Sequence, residues 1–136
     1  MSKIPLRVLA LLSLVACGGG GGDSASDDYQ MALQQANAKE AEAIALAPAS
    51  PCSQAPQCAN LTFTHLSGSC ASPSYHPYSL ISPTAAAASA AAADEQALAE
   101  HALAIAPPPY TPCPLAVTLP PTLACVANTC QAATSP

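Results

Sequence analysis

Apolar and polar positions alternate along Asn60-Leu61-Thr62-Phe63-Thr64-His65-Leu66, with Leu61, Phe63 and His65 on one side and the threonines on the other. A period of two belongs to a half-buried strand, so residues 60–66 are expected to form one. Leu115, Val117 and Leu119 repeat the pattern and predict a strand over 115–119. Shorter apolar runs at 78–81 and 123–127 predict two more, which together would make a small antiparallel sheet. Phe63, the single phenylalanine, is the expected core anchor.

Elsewhere the spacing is helical. Asp27 or Asp28 can cap a helix reaching about Ala47, with Leu33, Ala36, Ala43, Ile44 and Ala47 near one face and Pro48 ending it. Ser82-Pro83 supplies a cap followed by proline at the first helical position, where a missing N–H costs nothing. The alanine run 85–93 follows, Leu98, Ala102 and Ile105 continue the stripe, and the prolines at 107–109 stop it. The fold class is therefore α+β, a small antiparallel sheet with two alanine-rich helices. "AIALAP" at 43–48 and "ALAIAP" at 102–107 share one binary pattern, and each precedes a Pro-Cys and then an expected strand. Two copies are fewer than a repeat architecture needs.

Composition changes this picture in one respect. The 51% hydrophobic content includes 32 alanines, against one phenylalanine and no tryptophan. Alanine buries little area, and burial stabilises by about 25 cal/mol per Å² of apolar surface, so the core is expected to be thin. Seven cysteines are present, of which Cys17 stands alone behind an apolar run. The other six, Cys52, Cys58, Cys70, Cys113, Cys125 and Cys130, are an even set that reads as a disulfide framework with fifteen possible connectivities. Such bridges persist in oxidising export compartments, and each typically contributes about 2–4 kcal/mol. The second helix lies between Cys70 and Cys113, which favours a bridge closing that unit. Cys52 and Cys58 would then pair with Cys125 and Cys130, in either order, and bring the chain ends together.

Lys3 and Arg7, an apolar stretch over 8–15 and the small residue Ala16 form the three-part layout of a bacterial secretory signal. The stretch is too short to span a bilayer, which takes about twenty residues. Leu14-Val15-Ala16-Cys17 resembles the lipobox of bacterial lipoproteins. That resemblance implies cleavage before Cys17 and acylation of its sulfur and new amino group, giving the two or more chains that stable anchoring takes. Gly18 to Gly22 would then be a flexible tether. They do not look like a phosphate-binding loop, since no Lys-Ser or Lys-Thr follows. The expected organisation is a signal over 1–16, a lipidated cysteine and tether over 17–28, and one cysteine-rich domain over 29–136. For a chain resembling bacterial lipoproteins, Gly18 rather than an aspartate after the cysteine implies the outer membrane of the cell envelope.

"CSQAPQCANLTF" at 52–63, an intervening helix and a terminal "CP…ACVANTC" are similar to a group of uncharacterised cysteine-rich bacterial lipoproteins. The resemblance covers 52–130 and implies a fold rather than an activity. Gln54 and Gln57 stand where that group carries acidic residues, which weakens any ion-binding role for the loop.

Charge narrows the function classes. Without Lys3 and Arg7 the only basic side chain is Lys39, so nucleic acid, which needs clusters of Lys and Arg, is excluded as a partner. Residues 43–93 and 101–136 hold no Asp, Glu, Lys or Arg, leaving no paired carboxylates beside the cysteine segments for acid–base chemistry. A metal site combining these thiols with His65, His76 or His101 is not expected, because intervals of five, eleven and four residues match no common zinc spacing. His65 with Ser67 and Ser69 suggests a hydrolase, yet there is no Gly-x-Ser-x-Gly and no carboxylate nearby in sequence to orient the histidine. Asn60-Leu61-Thr62 matches a glycosylation sequon but reads more simply as strand threonines.

These observations lead to a monomeric, lipid-anchored structural or interaction module with an envelope protein as partner, no catalysis and no cofactor. The alternative is a small inhibitor of extracellular proteases acting through the 106–114 loop, "APPPYTPCP". Proline would pre-order that loop, Cys113 would staple it and Tyr110 would insert as its anchor.

Overall fold

Two antiparallel alanine-rich helices lie against a long hairpin, and a second, short hairpin is bridged to the base of the first. The computed structural model describes residues 24–108, 112–114 and 117–133. The elements run α1 (Ser24–Leu46), a 3₁₀ turn (Ala55–Gln57), β1 (Cys58–Ser67), β2 (Cys70–Ser79), α2 (Ala85–Ala104), β3 (Leu123–Val126) and β4 (Thr129–Ala132). The class is α+β as expected, but the strands form two separate antiparallel pairs, β1 with β2 and β3 with β4. No helix among the described residues is long and apolar enough to cross a membrane.

β1 contains the alternating stretch and buries Leu61 and Phe63, the latter to 1% exposure. Its partner β2 was not legible as a ten-residue strand, because Pro73 and Pro77 interrupt it and only its end, 78–79, falls inside the 78–81 expectation. Proline is tolerated in edge strands, where its missing N–H removes no ladder bond. Leu80 and Ile81 instead belong to a turn and are half exposed, at 48% and 51%. The β1–β2 loop is Gly68-Ser69, with Gly68 at φ +62 supplying the left-handed first position that a two-residue hairpin turn favours. In β3–β4 the turn is Ala127-Asn128, with both residues left-handed at φ 48 and 65. Asparagine tolerates that region, whereas alanine is strained there by roughly 1–2 kcal/mol.

The predicted strand over 115–119 is not found: 117–120 has no regular structure, Val117 and Leu119 are 84% and 75% exposed, and 115–116 lie outside the described residues. Alternation alone did not make a strand there, and among the described residues no strand pairs with 117–119. The order helix, Pro-Cys, strand does occur twice, the strands beginning at Cys58 and Leu123.

α1 begins at Ser24, earlier than the expected Asp27 or Asp28 cap, so 24–28 are helical rather than tether. Its buried stripe is Tyr29, Ala32, Ala36 and Ala43, and Ala47 just beyond the helix is also buried. Leu33 is half-buried and Ile44 is 39% exposed, so Ile44 does not join the core. α2 begins two residues after Pro83, with Thr84 at the cap position. Ser82 still organises the start, its hydroxyl accepting the Thr84 N–H at 3.3 Å.

Packing forms two clusters. Ala43 of α1 and Ala47 just beyond it meet Ala85, Ala88, Ala91 and Ala92 of α2 around Leu61, Phe63 and Tyr78. At the other end Tyr29 and Ala32 meet Ala102, flanked by Leu66 and Ile105. Methyl-sized side chains let the helices approach closely, so the interface tolerates little added volume. Phe63→Ala should destabilise by about 3–5 kcal/mol through cavity formation. Ala88→Leu, at a position with 0% exposure, should cost about 1–3 kcal/mol through overpacking. Urea denaturation of the oxidised protein measures both.

Candidate functional site

Three places bring chemistry-bearing side chains together. The first is where α1, β1 and α2 meet. His65 continues the buried face of β1 but emerges past the helices, and its Nε2 lies 2.9 Å and 3.1 Å from the two carboxylate oxygens of Glu40 on α1. Ser74 Oγ on β2 is 3.3 Å from the same nitrogen. The carboxylate that the local sequence lacks is thus supplied by the fold, from 25 residues away.

This trio does not have the geometry of a hydrolytic triad. A triad places the carboxylate on one ring nitrogen and the nucleophile on the other, so that the second can accept the hydroxyl proton. Here Glu40 and Ser74 share Nε2, and a nitrogen that donates its proton to Glu40 has no lone pair for Ser74. The arrangement is a side-chain hydrogen bond tying α1 to the hairpin, with His65 half exposed. Ser67 and Ser69, the serines singled out by sequence, lie at the hairpin turn and make no hydrogen bond to His65 among the described residues.

Glu95 of α2 stands behind this pair. It is 1% exposed, and its carboxylate accepts the Thr64 N–H at 3.2 Å. The adjacent Gln96 donates from Nε2 to the Thr62 carbonyl at 2.9 Å. Both backbone groups belong to the edge of β1 turned away from β2, so the helix caps a strand edge that would otherwise stay open. Burial holds the Glu95 carboxyl above its ordinary range; the Thr64 N–H opposes this, Glu40 adds to the rise and His65 counters it. Lys39, the one basic side chain beyond the expected signal, bonds Glu42 at 2.8 Å and reaches Asp94 at 3.5 Å, linking α1 to α2.

The second place is a cleft of about 230 Å³ between β1 and α2, lined by Asn60, Thr62, Tyr78, Ser89 and Gln96. Its lining offers amide, hydroxyl and phenol groups, with no carboxylate, histidine or lysine among them. Asn60, the sequon asparagine, donates from Nδ2 to the Pro121 carbonyl at 3.2 Å.

The third is a group of sulfurs. The bridges are Cys52–Cys125, Cys58–Cys130 and Cys70–Cys113, which resolves the open order of the first two. Sγ atoms of Cys52, Cys58 and Cys130 lie within 4.8 Å of one another. Bonded as disulfides, they are two neighbouring bridges rather than thiolate ligands. No histidine or carboxylate joins a three-ligand grouping among the described residues. Tyr110 and Cys17 lie outside the described residues, while Cys113 ties the 106–114 loop to Cys70 at the hairpin tip.

The raised Glu95 pKa has a consequence for stability. A carboxyl whose folded pKa exceeds its unfolded value favours the fold while protonated, and that contribution is lost as pH rises through the raised value. Glu95→Gln keeps an oxygen acceptor for Thr64 and removes the charge. Thermal melts should show the variant more stable than its parent at pH 7, with the gap closing as pH falls below the ordinary carboxylate range near about 4. A pH-independent gap would contradict this reading of Glu95.

Comparison with family models, curated proteins and solved structures finds no match to this chain.

Proposed function

We propose that this protein is a lipoprotein of the bacterial outer membrane, held through acylated Cys17, and acts as a structural or interaction module toward another envelope protein without catalysis. The observation that carries the reading is the polarity of the fold. Tyr29, in the first turns of α1, donates its hydroxyl to the Gly68 carbonyl at the hairpin tip, 2.8 Å away. The chain arriving from Cys17 therefore joins the domain at the hairpin-tip end. The paired bridges and the β3–β4 hairpin occupy the opposite end, where the Leu80 N–H meets the Gln57 carbonyl at 2.8 Å and the Cys130 N–H meets the Ala49 carbonyl at 2.7 Å.

Residues 17–23 would reach about 25 Å at most when fully extended, so the anchor would keep the tip end near the lipid and turn the bridged end outward. Leu80, Ile81 and Val126 are half exposed at that outward end, at 48%, 51% and 50%, which suits contact with a protein partner. The Glu40–His65–Ser74 geometry supports the absence of catalysis, since its histidine cannot serve the serine. The 106–114 loop suits a protease inhibitor less well, because Cys113 fastens it beside the tip that would face the lipid.

Replacement of Cys17 by serine in the producing cell tests the anchor. Metabolic labelling with a fatty-acid probe should be lost, and the chain should accumulate as unprocessed precursor. Labelling that persists in Cys17→Ser would refute the proposal.

A further inference from the structure

Four sulfurs from three segments converge at the bridged end. Cys52 precedes the 3₁₀ turn, Cys58 opens β1, and Cys125 and Cys130 face each other across the β3–β4 ladder. Sγ atoms of Cys52, Cys58 and Cys130 lie within 4.8 Å of one another, and Cys125 is bonded to Cys52. Sulfurs of two different bridges are therefore near neighbours, while Cys70–Cys113 stands apart at the hairpin tip. Exposure is unequal: Cys52 and Cys130 are buried at 3% and 2%, whereas Cys58 and Cys125 are half-buried.

We propose that this group is a thiol–disulfide exchange site whose substrate is a small-molecule thiol, and that it interconverts two pairings. One is the observed pair, Cys52–Cys125 with Cys58–Cys130. The other is local, Cys52–Cys58 with Cys125–Cys130. Disulfides rearrange when a thiolate attacks one sulfur and the other leaves as a thiolate. An incoming thiolate reaches half-buried Cys125 more readily than buried Cys52; it bonds to Cys125 and releases the Cys52 thiolate. Cys52 then attacks the neighbouring Cys58, forming Cys52–Cys58 and releasing the Cys130 thiolate. Cys130 attacks Cys125 across the ladder, forming Cys125–Cys130 and returning the small thiol. Each step breaks one S–S bond and makes one, so no oxidant or reductant is consumed.

Proximity favours the second step over capture by another molecule of thiol, and the third joins two cysteines paired directly across the β3–β4 ladder. A sulfur held within 4.8 Å of its target acts at an effective concentration far above the millimolar thiol in solution. The cycle also changes what the bridges do. In the observed pairing both tie residues 52–58 to the β3–β4 hairpin, with sequence separations of 73 and 72. In the local pairing neither does, and the hairpin keeps at that end only its packing and backbone contacts, such as Cys52 N–H to the Asn128 carbonyl at 3.3 Å. A small thiol would thereby act as a catalyst that loosens the outward end of the domain.

The test uses the mature lipidated protein in detergent micelles, incubated with reduced glutathione, quenched in acid and mapped without reduction after pepsin digestion. Cys52–Cys58 and Cys125–Cys130 should appear in equal amounts as the two long-range bridges decline, with Cys70–Cys113 unchanged. Double replacement of Cys70 and Cys113 by serine should leave the exchange intact. In the Cys58→Ser, Cys130→Ser double variant it should stop at a glutathione adduct on Cys125. Retention of the original map, an adduct that stalls on Cys125 in the parent chain, or scrambling that includes Cys70 and Cys113 would each overturn the proposal.

Discussion

The pair of bridges Cys52–Cys125 and Cys58–Cys130 is the constraint on which the remaining structure depends. They join the start of β1 to a hairpin lying 72 to 73 residues further along the chain. That hairpin has two four-residue strands, and an isolated two-stranded hairpin is marginal in water. In the chain-entropy account, closing a loop of this length removes about 4 kcal/mol of freedom from the unfolded state. The second bridge closes a smaller ring, of roughly eleven residues once the first is made, and adds about 3 kcal/mol. Around this clamp the backbone is stitched by Cys130 N–H to Ala49, Cys52 N–H to Asn128 and Ser79 N–H to Pro48.

What the clamp supports is a core short of bulk. Among the largest fully buried side chains only Phe63 is apolar, and the other two are Glu95 and Ser79. Each polar member has a fixed task. The Ser79 hydroxyl donates to the Pro51 carbonyl beside Cys52, and Glu95 caps the free edge of β1. A buried carboxylate satisfied by a backbone N–H costs far less than an unpaired one, yet its charge still works against burial. The alanine interface between α1 and α2 makes this arrangement possible, because close helices leave room for a glutamate to reach the strand. Sheet edges are handled by chemistry rather than by further strands: Pro73 and Pro77 stand on β2, and Glu95 and Gln96 cover β1.

Much of the scaffold was legible because its signals are local. The alternation through Phe63, the alanine run of α2 and the even cysteine set each follow from spacing or count. The pairing of Cys70 with Cys113 was legible from the helix between them. What was not legible depends on contacts across the chain. β2 looks unlike a strand because prolines are acceptable only at an edge, and edge status is a property of the whole sheet. Tyr29 lies next to residues that read as tether, and its burial depends on Gly68, 39 positions away. The contact of His65 with Glu40 could not be read from a charge-free segment, since its carboxylate comes from α1. The expected strand at 115–119 had the right alternation, but among the described residues 117–119 has no strand to pair with, which periodicity cannot reveal.

The central claim is that bridges, rather than side-chain bulk, hold this domain together. Thermal unfolding of the mature protein, followed by the near-ultraviolet signal of its buried tyrosines with and without a dithiol reductant at one pH, tests it most directly. Loss of about 2–5 kcal/mol for each bridge should lower the midpoint by more than about 10 °C or abolish the transition. Coincident oxidised and reduced curves would show that packing alone suffices and would contradict the account.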